Sequence, residues 1–77
     1  MLEVTIISPQ RIVFEGKAKS IIMPGEQGVF EITPFHKNII SRLIGGYMII
    51  DNKKSFIIKR GVVKLDKNVA TIIVEEP

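Results

Sequence analysis

Fifteen isoleucines and seven valines, set against three leucines and two alanines, constrain this chain more than any other feature of it. Branching at Cβ leaves essentially one favoured χ1 in a helix but suits the pleated surface of a strand, so helices are expected to be few or absent. The spacing of apolar residues agrees with that expectation. Leu2, Val4 and Ile6 alternate with Glu3 and Thr5 until Ser8-Pro9-Gln10 ends the run. Ile12 and Phe14 alternate with Arg11 and Glu15 as far as Gly16, and Ala18, Ser20 and Ile22 interleave with Lys17 and Lys19. Val29–Ile32 forms a further short candidate before Thr33-Pro34. In the second half Asn38–Ile44 closes at Gly45-Gly46, and Tyr47–Ile50 is apolar enough to be expected buried on both faces. Asp51-Asn52-Lys53 turns into Lys54–Lys59, and Asp66-Lys67-Asn68 turns Val62–Leu65 into Val69–Val74. Short strands in such quick succession predict an all-β fold, a small antiparallel sandwich or barrel.

With 77 residues there is room for one domain, residues 1–77, and one core. No cysteine is present to staple it or to bind a soft metal. Apolar runs such as Ile21–Met23 are far too short to span a bilayer as a helix. Met1-Leu2-Glu3 opens directly into strand-like sequence, so a soluble, unprocessed chain is expected. The formal charge of +3 and pI near 9.5 raise the possibility of a nucleic-acid partner. Lys17, Lys19, Lys37, Lys53, Lys54, Lys59, Arg60, Lys64 and Lys67 are, however, spread singly or in pairs between apolar residues. Phe14, Phe30, Phe35, Phe56 and Tyr47 mostly occupy slots that look like core rather than stacking platforms, so a mixed, solvated surface is the better reading.

Reactive groups are sparse. His36 is the only imidazole, which excludes a histidine pair for metal and, with no cysteine, a Cys–His dyad. Ser8, Ser20, Ser41 and Ser55 all lie outside a Gly-x-Ser-x-Gly context. The carboxylates Glu3, Glu15, Glu26, Glu31, Asp51, Asp66, Glu75 and Glu76 fall mostly at turns and strand ends, where solvation is their ordinary role. No catalytic, metal or cofactor site is therefore expected. Gly25-Glu26-Gln27-Gly28 superficially suggests a phosphate loop. It lacks the Lys-Ser/Thr and the following helix N-terminus that such a loop needs. Met23-Pro24-Gly25-Glu26 reads instead as a type II turn, with Pro24 setting φ and Gly25 accepting φ > 0.

The stretch "MPGEQGVFEITPFHKNI" resembles the Pro-Gly-x-x-Gly-x-Phe-x-x-x-Pro-x-His signature of the epsilon subunit of F-type ATP synthase, called delta in mitochondria. "VTIISPQRIVFEGKAKSIIMPG" and "FIIKRGVVKLDKNVATIIVEE" are similar to that family's opening and closing strands, so the resemblance covers the whole chain. It implies a β-sandwich of about ten strands in two five-stranded sheets. It further implies a non-catalytic central-stalk subunit, peripheral at the cytoplasmic face of the bacterial inner membrane, that joins the gamma subunit to the c-ring. Carried over residue by residue, it places Glu26, Gln27, Gly28 and Val29 against the c-ring and Ser8, His36 and Ser41 toward gamma. No cofactor is implied, and the isolated domain is expected to be monomeric.

The chain departs from the family at three places. Phe35 stands where the family usually has glycine before the signature histidine. Gly61, preceded by Arg60, replaces a Gly-Gly pair. The sequence stops where the family continues into a C-terminal helical hairpin, as either a naturally short form or a fragment would, so the hairpin's ATP sensing and inhibition are not carried over. Each singled-out residue also has a plainer reading. A lone histidine at a strand start usually makes a local hydrogen bond, Ser8 and Ser41 are polar residues at strand edges, and Phe30 reads as core. Phe35, in a turn, is expected to be exposed and is a candidate apolar anchor. The alternative functions are a β-barrel binding nucleic acid and a lipoyl-type carrier, whose lysine-bearing hairpin Asp51-Asn52-Lys53-Lys54 imitates poorly.

Overall fold

The computed structural model describes residues Met1–Pro77 and contains nine strands and no helix. In chain order they are β1 (Leu2–Ile7), β2 (Ile12–Ala18), β3 (Ile21–Gly25), β4 (Gly28–Ile32) and β5 (Ile39–Leu43). Then follow β6 (Gly46–Ile50), β7 (Lys54–Ile58), β8 (Arg60–Asp66) and β9 (Val69–Glu75). The all-β class is as the β-branched composition requires. Two details differ from expectation. The strands number nine rather than about ten, and they form one continuous sheet, β2-β1-β9-β8-β5-β3-β6-β7 with β4 on β3, rather than two separate sheets of five. Nor is the sheet wholly antiparallel, because β1 and β9 pair in parallel with Ile7 opposite Ile73. Strands from the two ends of a chain are joined by no hairpin, so nothing local dictates their relative direction.

The continuity is due to β3. One of its edges is taken by β4. The other is divided between β6, through Ile21↔Ile50 and Ile22↔Ile49, and β5, through the single pair Gly25↔Leu43. At that narrow join the sheet folds over, and the inward residues of every strand meet in one cluster of 16 buried apolar side chains. Its centre is Leu2, Ile6, Ile21, Met23, Ile32, Met48, Val63 and Ile72, all fully buried. No polar side chain is buried with them. Full burial of a side chain of this size contributes about 1.5–3 kcal/mol, which is how so small a domain offsets its chain entropy.

Alternation, not uniform burial, rules β6: Met48 and Ile50 point inward while Tyr47 is exposed and Ile49 half-buried. The expectation that both faces of Tyr47–Ile50 are covered is therefore corrected. Nothing lies outside this part of the sheet. A second correction concerns Ile12 and Phe14. A bulge opposite Ile6/Ile7 inserts Val13 as an extra residue, so Val13 and Phe14 pack on the core and Ile12 is left exposed. Gly16 does not break β2 but pairs with Val4 inside it. The break falls at Lys19-Ser20, whose N–H groups donate to Asp51 Oδ1 at 2.7 and 3.0 Å.

β2 and β7, the two ends of the sheet order, approach each other through Phe14 and Phe56, whose ring centroids lie 6.3 Å apart at 58°. Lys54 Nζ sits 5.5 Å from the Phe14 centroid, adding a cation–π contact to the seam. Two tight turns use residues that tolerate the left-handed region. Asp51 and Asn52 have φ of 53° and 55°, and Lys67 and Asn68 have φ of 49° and 66°. Positive φ at both central residues matches the right-handed twist of the flanking strands.

Candidate docking groove

The Pro24–Ile39 stretch folds into two successive turns. β3 and β4 form a hairpin in which Gly25 pairs with Gly28, leaving Glu26-Gln27 as a two-residue loop. Gly28, with φ of 121°, supplies the left-handed backbone, whereas Gly25 has none. The type II turn expected at Met23–Glu26 is thus absent there, because Pro24 and Gly25 are already strand residues. What Gly25 provides is room: a Cβ on it would lie 2.7 Å from Cε1 of Phe30 and 3.0 Å from the Gly28 carbonyl oxygen.

A type II arrangement does occur ten residues on. His36 N–H donates to the Thr33 carbonyl at 3.2 Å, Pro34 takes the first central place, and Phe35 takes the second with φ of 67°. That second place normally belongs to glycine, since any Cβ is crowded at φ > 0. Three hydrogen bonds staple this loop to the β8–β9 turn. Phe35 N–H donates to Asn68 Oδ1 at 2.7 Å, Lys67 N–H to Asn38 Oδ1 at 3.0 Å, and Asn38 Nδ2 to Asp66 Oδ1 at 3.0 Å.

Between the two turns lies a surface groove of about 490 Å³. Gly25, Glu26, Gln27, Gly28, Val29 and Phe30 line one wall, and His36, Ile39, Ile40 and Ser41 line the other. Val29 is 73% exposed, Ile40 74% and Phe35, next to His36, 89%; no other large apolar side chain of the chain is as exposed as these. Of the site residues expected from sequence, six are therefore brought together: Glu26, Gln27, Gly28, Val29, His36 and Ser41. Ser8 is not among them. It lies in the turn after β1, three strands along the sheet from β5, and accepts hydrogen bonds from the Gln10 and Arg11 N–H groups.

Locally His36, Ser41 and Glu26 are already engaged. His36 Nδ1 lies 2.8 Å from the Lys37 carbonyl, which can only accept, so Nδ1 carries the proton and Nε2 is free. This is the local hydrogen bond expected of a lone histidine. Ser41 Oγ donates to the Arg42 carbonyl at 3.3 Å. The Glu26 carboxylate faces Arg42 at 3.9 Å, an exposed pair worth about 0–1 kcal/mol. Glu26 thus has a partner within the chain, which sequence reasoning did not anticipate. Ile39 and Ile40 were missed as groove residues. The signal was available: two adjacent isoleucines in an alternating strand cannot both face the core.

Near Ser8, Arg11 makes a two-pronged ion pair with Glu76, Nε to Oε1 at 3.1 Å and Nη2 to Oε2 at 2.9 Å. The Arg11 hydrogen bonds, followed by the Ser8 hydroxyl, hold the Glu76 carboxyl below the usual carboxylate range. The Ser8 proton is shared with the Arg11 carbonyl, 3.3 Å from Oγ, so the guanidinium dominates. Nowhere do three histidine or carboxylate side chains come together.

These features define a class: a small all-β sandwich with a shaped groove beside its β3–β4 hairpin and no cluster of metal-ligand side chains. Residues 1–76 match the family model for the ATP synthase delta/epsilon chain β-sandwich domain, and the chain belongs to that family. It is 36% identical over 78 residues to the ATP synthase epsilon chain of a Nitratiruptor species, covering 96% of this chain and 60% of that one. To the epsilon chain of Rickettsia typhi it is 31% identical over 80 residues, covering 96% and 73%. It therefore spans about three-fifths of the length of the first of these relatives. The fold is shared with a chain of the Tetrahymena thermophila mitochondrial ATP synthase central stalk/c-ring structure, at TM-score 0.82 and 20% identity over 97% of this chain and 63% of that one. A chain in the Euglena gracilis mitochondrial ATP synthase OSCP/F1/c-ring structure matches at TM-score 0.86 and 15% identity, over 97% and 51%.

Proposed function

We propose that the chain serves as a rotor subunit of an F-type ATP synthase, joining the gamma subunit to the c-ring so that proton flow is coupled to ATP synthesis. In this reading it is non-catalytic and peripheral, held at the cytoplasmic face of a bacterial inner membrane through the complex. The observation that carries the proposal is family membership across residues 1–76, together with a groove lined by the strongly exposed Val29 and Ile40 and adjoined in the chain, before His36, by the exposed Phe35. Its mechanical demand is stiffness. A continuous sheet closed around a single apolar core transmits force through many strand pairs at once, and hydrogen bonds to the β8–β9 turn fix the loop that carries His36.

Glu26, Gln27, Gly28 and Val29 form the wall that rests on the c-ring, while Ser8, His36 and Ser41 face gamma. His36 and Ser41 lie across the groove from the Glu26–Val29 hairpin, so the two partners meet along it. Ser8 lies three strands away, so a gamma subunit that reaches it must extend over β8 and β9. Because Glu26 is already paired with Arg42, its charge serves encounter and orientation, while apolar and backbone contacts hold the joint.

Single cysteines in the assembled synthase test the assignment. Cysteine at Glu26 or Val29 is expected to crosslink to cysteines in the c-subunit loop, and cysteine at His36 or Ser41 to gamma. Exchange of these two patterns, or failure of the wild-type chain to co-purify with either partner, overturns the proposal.

A further inference from the structure

We infer that Phe35 is the anchor of the gamma-side contact, an aromatic side chain held out to enter an apolar pocket of that partner; this rests on the rotor reading above. Four non-glycine residues besides Phe35 have left-handed φ, and they form two adjacent pairs, Asp51-Asn52 and Lys67-Asn68, in hairpin turns. Phe35 is different. It is a bulky aromatic, alone, at the second central place of a Pro-led turn that glycine would fill without crowding. Its side chain gives the fold little in return, being the most exposed large apolar group of the chain. Backbone crowding without internal packing points to a purpose outside the molecule.

The surrounding geometry supports that purpose. Asn68 Oδ1 accepts from the Phe35 N–H, and Asn38 ties the same loop to Asp66 and Lys67, so the ring projects from a fixed base. A preorganised aromatic loses little freedom on docking, as recurs in anchor residues of protein interfaces. The two groove walls each expose one apolar residue, Val29 beside Glu26 and Gln27 on the hairpin wall and Ile40 beside His36 and Ser41 on the other. Phe35 directly precedes His36 in the chain, adding an aromatic next to the second wall. An apolar pocket on a folded subunit suits the second wall, which is the one assigned to gamma.

The test is Phe35→Gly in the full chain. This change removes the ring and relieves the left-handed crowding, but frees the unfolded chain, so melting should stay within about 5 °C of wild type, a shift on the order of 1 kcal/mol or less. Binding is then measured by interferometry on two surfaces, the purified gamma subunit of the same organism and its detergent-purified c-ring. Phe35→Gly should weaken binding to gamma at least tenfold and leave binding to the c-ring unchanged, and Phe35→Trp should restore most of the loss. Unchanged affinity for gamma overturns the inference while the rotor proposal stands. Loss confined to the c-ring also overturns it, by assigning the anchor to the other partner. A melting point lowered by more than about 10 °C overturns it too, since Phe35 would then be a packing residue. Wild-type chain that binds neither surface defeats the rotor proposal itself, and this inference with it.

Discussion

Gly25→Ala separates two reasons for needing a glycine. In a left-handed turn, the added Cβ would be strained against its own backbone whatever its neighbours. Gly25 is instead in strand conformation and pairs with Gly28 and Leu43, so alanine is locally acceptable. The obstacle is Phe30, whose Cε1 and Cδ1 would lie 2.7 and 2.8 Å from the new methyl group. Ordinary contact begins at 3.4 Å, so the ring must withdraw by about 0.7 Å from its packing against the core, and the Gly28 carbonyl oxygen at 3.0 Å blocks escape along the hairpin. Overpacking of this kind costs about 1–3 kcal/mol. For a domain of this size each kcal/mol lowers Tm by about 4–8 °C, so a fall of roughly 5–20 °C is expected in thermal unfolding followed by circular dichroism. The cause is isolated by repeating the substitution in a Phe30→Leu background, where the ring is gone. There the cost should shrink by at least about 0.5 kcal/mol, the lower end of coupling between touching residues. If Gly25→Ala costs the same in both backgrounds, the ring is not the obstacle and the packing argument is refuted.

Three further outcomes are expected. Asp51→Ala removes the acceptor of the exposed Lys19 and half-buried Ser20 N–H groups and puts alanine at φ of 53°, so it should cost about 1–3 kcal/mol in urea unfolding, while Asp51→Asn keeps an acceptor and tolerates that φ at much lower cost. Glu76 has a depressed folded pKa, so its contribution is complete above the unfolded carboxylate value near 4.3 and is lost as pH falls through the lower folded value. Melting curves of wild type and Glu76→Gln should accordingly differ at pH 7, draw together as pH falls below the unfolded carboxylate value, and differ less in high salt because the Arg11–Glu76 pair is exposed. Ile72→Ala, in the fully buried centre, should cost about 2–5 kcal/mol, enough to leave much of so small a domain unfolded at 37 °C by hydrogen exchange.

Local chemistry determined a good deal of this protein by sequence alone. Cβ branching and alternation dictated an all-β chain, and Asp-Asn and Lys-Asn pairs marked the two hairpin turns, because strand preference and left-handed tolerance are properties of single residues and their neighbours. The signature from Pro24 to His36 likewise pointed to the family, and most of its residues do line one groove. Tertiary structure decided what depends on distant partners. The parallel pairing of β1 with β9, the single Gly25↔Leu43 join that keeps the sheet continuous, and the capture of Lys19-Ser20 by Asp51 all link segments that no local pattern connects. The bulge at Val13 turned Ile12 outward against a simple period of two. Gly25 and Phe35 show the division most clearly. Sequence placed the turn at Pro24-Gly25, but Pro24 was committed to β3, and the positive φ went to Phe35 because Asn38 and Asn68 hold that loop on the β8–β9 turn. Conformational preferences are written residue by residue, whereas which residue must bear an unfavourable one is settled only when the strands around it have packed.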